Sequence, residues 1–420
     1  MNLVKTSLLN SIAVAIRLVT LFGLNKILAI YVGPVGYAAV GQFQNVIQLI
    51  ASLSSGILYT GVTKYTAEYI GDEKKQHAVW KTAAVSTLLG VFISSIFVLV
   101  LRVELAGWLL KNEDYSDVFA WFSGGLLFCS LNGLLLAIIN GKKDIRLFVL
   151  ANICSSLLSL IFTSALTIIY GLHGALIALA IYQSLAFFVT LWLVMKRDWF
   201  SLSYCIGFAE VEILNGLSRF ALMAITSAVC VPVTLIVIRS NVVEALGIDS
   251  AGYWEAMSRL SSGYLMLITT TLSVYFLPRF SELTEISELK KELLKGYILI
   301  LPVALIFSFL IFYLRESIIS ILFSSSFMKM EVMFSWQVFG DFFKIGSWLI
   351  AYLIMSKSFV KLYIISEIAF SFLLVLASNL FMDVYGLAGL SMAYAFNYLL
   401  YWIFITLAFV VYMRNKNTLP

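Results

Sequence analysis

Twelve stretches of this sequence are each long and apolar enough to fill the hydrocarbon core of a bilayer, and they leave little chain for anything else. They are Leu8–Val32, Gly41–Thr63, Thr82–Leu101, Val118–Ile139, Leu147–Ile169 and Ala175–Met195, then Phe220–Ile238, Leu260–Leu277, Gly296–Leu314, Trp336–Met355, Leu362–Met382 and Leu387–Met413. Each reaches the roughly 20 residues that a spanning helix needs. In lipid every backbone N–H requires an internal partner, so segments of this length are helices. Only 12% of the 420 residues are charged, about half the share of a soluble domain. The first stretch is interrupted by Arg17, Asn25 and Lys26 and closes on no small-residue cleavage site. It therefore reads as a permanent span rather than a signal peptide.

Lysine and arginine orient the spans. With the N-terminus in the cytoplasm, nineteen of the 28 basic residues fall in cytoplasmic segments. Six lie opposite (Arg102, Lys111, Arg239, Arg259, Arg315 and Lys329), and Arg17, Lys26 and Lys344 lie within spans. Both termini are expected on the cytoplasmic side of a bacterial inner membrane, and the net charge of +5 reflects topology rather than nucleic-acid binding. Cys129, Cys154, Cys205 and Cys230 show no metal-ligand spacing, and His77 and His173 lie in different loops on opposite sides. No metal site and no cofactor is expected.

The chain repeats itself. Lys64-Tyr65-Thr66 is echoed by Arg279-Phe280-Ser281, Arg146-Leu147-Phe148 by Lys361-Leu362-Tyr363, and Tyr170-Gly171-Leu172-His173-Gly174 by Tyr385-Gly386-Leu387-Ala388-Gly389. All three pairs share an offset of 215 residues. The reading is an all-α polytopic membrane protein with two pseudo-symmetric six-helix lobes around a central cavity. The N-terminal lobe is 1–195, a cytoplasmic linker 196–219, the C-terminal lobe 220–413 and a cytoplasmic tail 414–420. Trp199, Phe200 and Tyr204 place the linker at the interface, and Glu282–Lys295 reads as an amphipathic helix at the cytoplasmic interface.

Charges inside spans cost about 2.5–3.5 kcal/mol each near the centre and generally face a cavity or a partner. Asp341 and Lys344, three apart on the tenth span, can pair with each other or line a cavity, with Gln337 one turn earlier on the same face. Arg17 and Lys26 mark the first span and lie nearly opposite each other around a straight helix. Glu367 is six residues past Lys361, near a helix end. Asn45, Gln48 and Ser52 make a polar stripe on the second span, suited to helix–helix contact or to a wet wall. At the 215 offset Arg17 maps onto Pro232, Asp341 onto Leu126, Lys344 onto Cys129 and Glu367 onto Asn152. The scaffold repeats and the charge does not, which suggests that the charges serve a ligand. Pro232 is a candidate kink in the seventh span.

No phosphate loop, nucleophile elbow or His-Glu-x-x-His motif is present. Extramembrane segments are too short for a catalytic domain, so an enzyme is not expected. Gly33-Pro34 closing the first span, Gly61-Val62-Thr63-Lys64-Tyr65 after the second, and Trp336-Gln337-Val338-Phe339-Gly340-Asp341 with Lys344 on the tenth together resemble the Wzx-type flippases. These form the polysaccharide-exporter branch of the multidrug/oligosaccharidyl-lipid/polysaccharide exporter superfamily, which moves O-antigen and enterobacterial common antigen units. The resemblance implies movement of an undecaprenyl-pyrophosphate-linked oligosaccharide, as in O-antigen and lipopolysaccharide biosynthesis, from the cytoplasmic to the periplasmic leaflet by alternating access. It implies membrane lipid as surroundings, and a polysaccharide polymerase and chain-length regulator as partners. Arg17, Lys26 and Lys344 would neutralise the pyrophosphate, Asn45, Gln48, Gln337 and Asp341 would complete the substrate site, and Lys64 and Arg279 would gather headgroups at the entrance. Asp341 or Glu367 would couple an ion. A drug or cation exporter of the same superfamily is the nearest alternative, but the first span has no carboxylate. An O-antigen polymerase or ligase is a weaker one, because no large periplasmic loop is present.

Overall fold

A computed structural model describes the backbone of residues 3–283, 285–357 and 359–415. Within these, the side chains of 3–11, 215, 216, 218–223, 274, 278 and 412–415 are not described. The expected tail 414–420 therefore lies largely outside the described residues. The chain is helical throughout its spans, as a backbone without water requires. The first four helices are α1 (Leu3–Tyr31), α2 (Gly33–Glu68), α3 (Glu73–Val100) and α4 (Ser116–Gly141). One 50-residue segment, Ile145–Val194, then holds α5 (145–170) and α6 (172–194), broken at Gly171. They are followed by α7 (Val211–Leu246), α8 (Ile248–Thr271), α9 (Ile286–Tyr313), α10 (Phe334–Ser356), α11 (Val360–Tyr385) and α12 (Leu387–Asn415).

Among the described residues, ten helical segments are long and apolar enough to cross a membrane. The two-helix segment counts once in that ten, and α8 falls short because Asp249, Glu255 and Arg259 dilute it. The twelve-helix reading stands, and the chain is a multi-pass membrane protein. The eighth span begins twelve residues earlier than Leu260, however, so Arg259 lies inside a helix and not in a loop. Arg239 is likewise inside α7. The segment expected as an amphipathic interfacial helix is helical from Ile286 and runs unbroken into the ninth span as α9. Leu289 is buried and Leu293 packs against the same core, and Gly296 lets α9 approach Leu349 closely, so nothing interrupts the helix there.

The chain divides into two compact units. Unit 1 comprises Met1–Val32 and Ala39–Val233, and unit 2 comprises Gly33–Ala38 and Thr234–Pro420, so the division in α7 falls beside Pro232. In unit 1, Trp80 is fully buried among Val62, Val79, Ile138 and Leu147. Its indole N–H donates to Thr66 Oγ1 at 3.0 Å. The linker aromatics fold onto α3: Trp199 meets Trp80 edge-on, and Tyr204 stacks on His77 with centroids 3.9 Å apart. In unit 2 the core is Leu265, Phe276, Phe280, Ile300, Leu349 and Leu353.

The 215-residue repeat is geometric as well as textual. Gly171 and Gly386 both adopt φ 58°, ψ −136°, a conformation that essentially only glycine reaches, and each breaks one helix and starts the next. Three residues on, a Cβ on Gly174 would lie 2.0 Å from the Leu166 carbonyl oxygen, and one on Gly389 would lie 2.1 Å from that of Phe381. Gly125 approaches Ala180 as Gly340 approaches Ala395. All these pairs keep the same offset. Gly174→Ala and Gly389→Ala are each expected to cost about 1–3 kcal/mol, because the clash is with backbone. Gly124→Ala, with open space around it, should be neutral. Thermal unfolding of the detergent-purified variants checks this ranking.

Candidate functional site

Gln337 and Asp341 stand one helical turn apart on α10, and both are buried. Gly340 beside them lets α12 come close, with Tyr394 and Ala395 against the glycine. Three hydroxyls converge on the Asp341 carboxylate. Tyr394 donates to Oδ1 at 2.8 Å, while Ser261 and Tyr264, from α8, both donate to Oδ2. The network extends outward: Gln337 Nε2 donates to Ser261 Oγ at 3.0 Å, and Ser391 Oγ donates to Gln337 Oε1 at 3.1 Å. Faces of three helices of unit 2 thus meet here, and the polar atoms satisfy one another.

Lys344 occupies the next turn of α10. Asp341 and Lys344 do not form an ion pair among the described residues, although their spacing would allow one. Asp341 has its hydroxyls instead, and the Lys344 ammonium lies over three rings, 5.3 Å from Trp348, 5.2 Å from Tyr394 and 4.6 Å from Tyr398. Such contacts are worth about 0.5–2 kcal/mol depending on desolvation. Glu367, half-buried on α11, is within electrostatic reach of the same ammonium. The result is a half-buried cation held by π-faces beside a carboxylate held by hydroxyls.

A second charged cluster in unit 2 was not foreseen. Glu255 of α8 accepts from Arg239 of α7 and, at 2.6 Å, from Arg259 Nε one turn along α8. All three side chains are under a tenth exposed. Arg239 lies over Trp254 and Arg259 over Tyr37, each within cation–π range. Arg239 and Glu255 are both eight residues from the Gly247 turn, about 12 Å along their helices. The two arginines read as loop charges because Glu255, their partner, was never placed with them. The i,i+4 spacing of Glu255 and Arg259 was the available signal.

The remaining candidates are spread more widely. In unit 1, Arg17 is exposed and Lys26 half-buried on α1. On α2 Asn45 is buried and Gln48 exposed, so the polar stripe does not share one environment. Lys64, and Arg279 in unit 2, are exposed. Asn25, next to Lys26, is fully buried, and its amide finds no partner among the described residues, nor do the hydroxyls of Thr163 and Ser164 on α5.

No family model matches the chain. It is 28% identical over 416 residues to the lipid III flippases of Escherichia coli (strain K12) and Shigella flexneri, covering 99% of this chain and 100% of each relative. Among solved structures it is similar to an inward-facing multidrug resistance MATE family transporter of the MOP superfamily, with TM-score 0.77 and 16% identity over 96% of this chain and 99% of that one. It is also similar to the lipid II flippase MurJ in an inward closed conformation, with TM-score 0.72 and 14% identity over 96% of this chain and 87% of that one. The fold is that of the MOP-superfamily transporters, and the likeness to the lipid III flippases extends over the full length.

The ion cluster makes a stability prediction. Removing Glu255 leaves two buried guanidinium groups facing each other, a loss of about 3–5 kcal/mol, whereas Arg239→Met leaves Glu255 paired with Arg259. Glu255→Ala should therefore lower the melting temperature in detergent well beyond Arg239→Met.

Proposed function

We propose that this chain is a flippase that moves a polyprenyl-diphosphate-linked oligosaccharide from the cytoplasmic to the periplasmic leaflet of the bacterial inner membrane. The observation that carries the reading is similarity over the full length of both chains to proteins named lipid III flippases. The site chemistry agrees. A diphosphate is a polyanion, and Lys344 offers it a cation whose charge no ion pair cancels among the described residues. Arg17 and Lys26 supply further positive charge in unit 1. Aromatic faces at Trp348, Tyr394 and Tyr398 suit both the ammonium and the flat faces of sugar rings. Gln337 and Asp341 support this wall from behind, and in unit 1 the exposed Gln48 offers an amide for the glycan, whereas Asn45 is buried.

Both termini are assigned to the cytoplasm. With Arg239 and Arg259 removed from the loops, the basic bias becomes nineteen to four and favours that orientation more strongly. A polysaccharide polymerase and a chain-length regulator are the natural partners on the receiving side. Transport is vectorial without a catalytic step, and two energy sources are open to it. An anion moving outward across an inside-negative membrane gains about 2.3 kcal/mol per charge per 100 mV. Asp341, whose hydroxyl partners can serve a carboxylate or a carboxylic acid, is a carrier for a coupling proton, as is Glu367.

Genetic complementation tests the reading. In a host whose own gene is deleted, wild type should restore long-chain surface polysaccharide. Lys344→Gln at equal membrane level should fail, and Lys344→Arg should recover part of the activity. Surface polysaccharide that survives the deletion while drug sensitivity rises would replace the flippase by an exporter.

A further inference from the structure

The described residues of unit 1 hold a cavity of about 610 Å³ that none of the candidate site residues lines. It is walled by Ile70, Gly71, Asp72, Glu73, Lys74, Gln76 and Lys142, where the α2–α3 turn meets the end of α4. Its size falls within the range of small-ligand pockets. The basic-residue bias places this end of unit 1 on the cytoplasmic side.

Lys142 is the unusual group in its wall. Its ammonium donates to Gln76 Oε1 at 2.5 Å and lies 5.4 Å from the Trp80 ring and 5.6 Å from that of Trp199. Gln76 is itself buried and fixed from the other side, with Nε2 donating to the Thr66 carbonyl at 2.7 Å. Lys142 is thus held in place by an amide and two indoles, and among the described residues it has no carboxylate partner within ion-pair distance. Burial holds its ammonium below the ordinary lysine range. The nearby acids do not cancel it. Asp72 is spent on Lys75, accepting from its backbone N–H at 3.1 Å and standing 3.4 Å from its ammonium. Counted with Lys75, which pairs with Asp72, three lysines (Lys74, Lys75 and Lys142) stand against the two acids Asp72 and Glu73 at this rim.

We propose that this cavity is a loading site for a phosphate-bearing anion, specifically the diphosphate of a lipid-linked headgroup, with Lys142 as its anchor and Lys74 as a second, mobile cation. The proposal rests on the flippase reading and deepens it. Substrate would be held first by its diphosphate at the cytoplasmic face of unit 1, separately from Lys344. A rigid ammonium with no carboxylate within ion-pair distance among the described residues is suited to this, because an arriving anion need not displace one.

The test is binding of radiolabelled inorganic pyrophosphate to the full chain in phosphatidylcholine nanodiscs. Saturable binding is expected, weakened about tenfold by Lys142→Gln, less by Lys74→Gln, and retained by Lys142→Arg. Because Lys344 also offers a cation to a diphosphate, the Lys142-dependent component is read in a Lys344→Gln background, where it should persist. A polyprenyl diphosphate added to the nanodiscs should compete, and phosphatidylglycerol should not. Absence of binding, or binding indifferent to both lysines, overturns the proposal. Competition by phosphatidylglycerol overturns the diphosphate assignment in favour of an ordinary membrane-headgroup site. If Lys142→Gln does not fold, the Lys74→Gln and Lys142→Arg pair decides alone. Failure here while Lys344 variants still lose surface polysaccharide would leave the flippase reading standing, so the two fail separately.

Discussion

Inside a lobe that excludes water, a charge persists only if the protein supplies what water would have supplied. Two of the buried carboxylates of unit 2, Glu255 and Asp341, meet that condition in two ways. Glu255 is held by two guanidinium groups, so its cluster is fixed by charge and ties α7 to α8. Asp341 is held by three neutral hydroxyls. Hydroxyls can rotate from donor to acceptor, so the second arrangement tolerates a change of protonation that the first does not. The same choice sets the role of Lys344. Because Asp341 is satisfied by Ser261, Tyr264 and Tyr394, the Lys344 ammonium rests on the aromatic faces of Trp348, Tyr394 and Tyr398 instead.

The two units share their turns and close contacts but not their chemistry. Gly171 and Gly386 have the same backbone angles, and Gly174 and Gly389 the same close approach to the preceding helix. At the corresponding positions of unit 1, Asp341 becomes Leu126 and Lys344 becomes Cys129. A duplicated scaffold with unduplicated charge is what a carrier needs if its substrate is itself asymmetric, with a charged link between a polar glycan and an apolar tail.

Much of this architecture was legible in the sequence, because bilayer thickness and backbone hydrogen bonding leave few alternatives to a bundle of helices. The Gly171 and Gly386 turns were visible as a repeat for the same reason: only glycine reaches their backbone angles. What hydropathy missed was charge neutralised at a distance. Arg239, Glu255 and Arg259 each lower the apparent apolarity of their helices, so hydropathy starts α8 too late and puts both arginines in loops. Asp341, Lys344 and Gln337 were found because an isolated charge in an apolar run is conspicuous. Their partners were not, because Ser261, Tyr264, Ser391 and Tyr394 are common in any membrane helix. The Lys142 cavity was invisible for a related reason: a lysine in a polar loop draws no notice until Trp80, Trp199 and Gln76 are seen around it.

The most direct measurement of flipping is made on purified protein in liposomes that carry a fluorescent polyprenyl-diphosphate saccharide, with inner- and outer-leaflet pools separated by a membrane-impermeant quencher. Wild type should move the lipid between leaflets far faster than empty liposomes, a potential negative on the donor side should accelerate it, and Lys344→Gln should return it to background. Transfer no faster than in empty liposomes, or transfer indifferent to the Lys344 charge, would contradict the account.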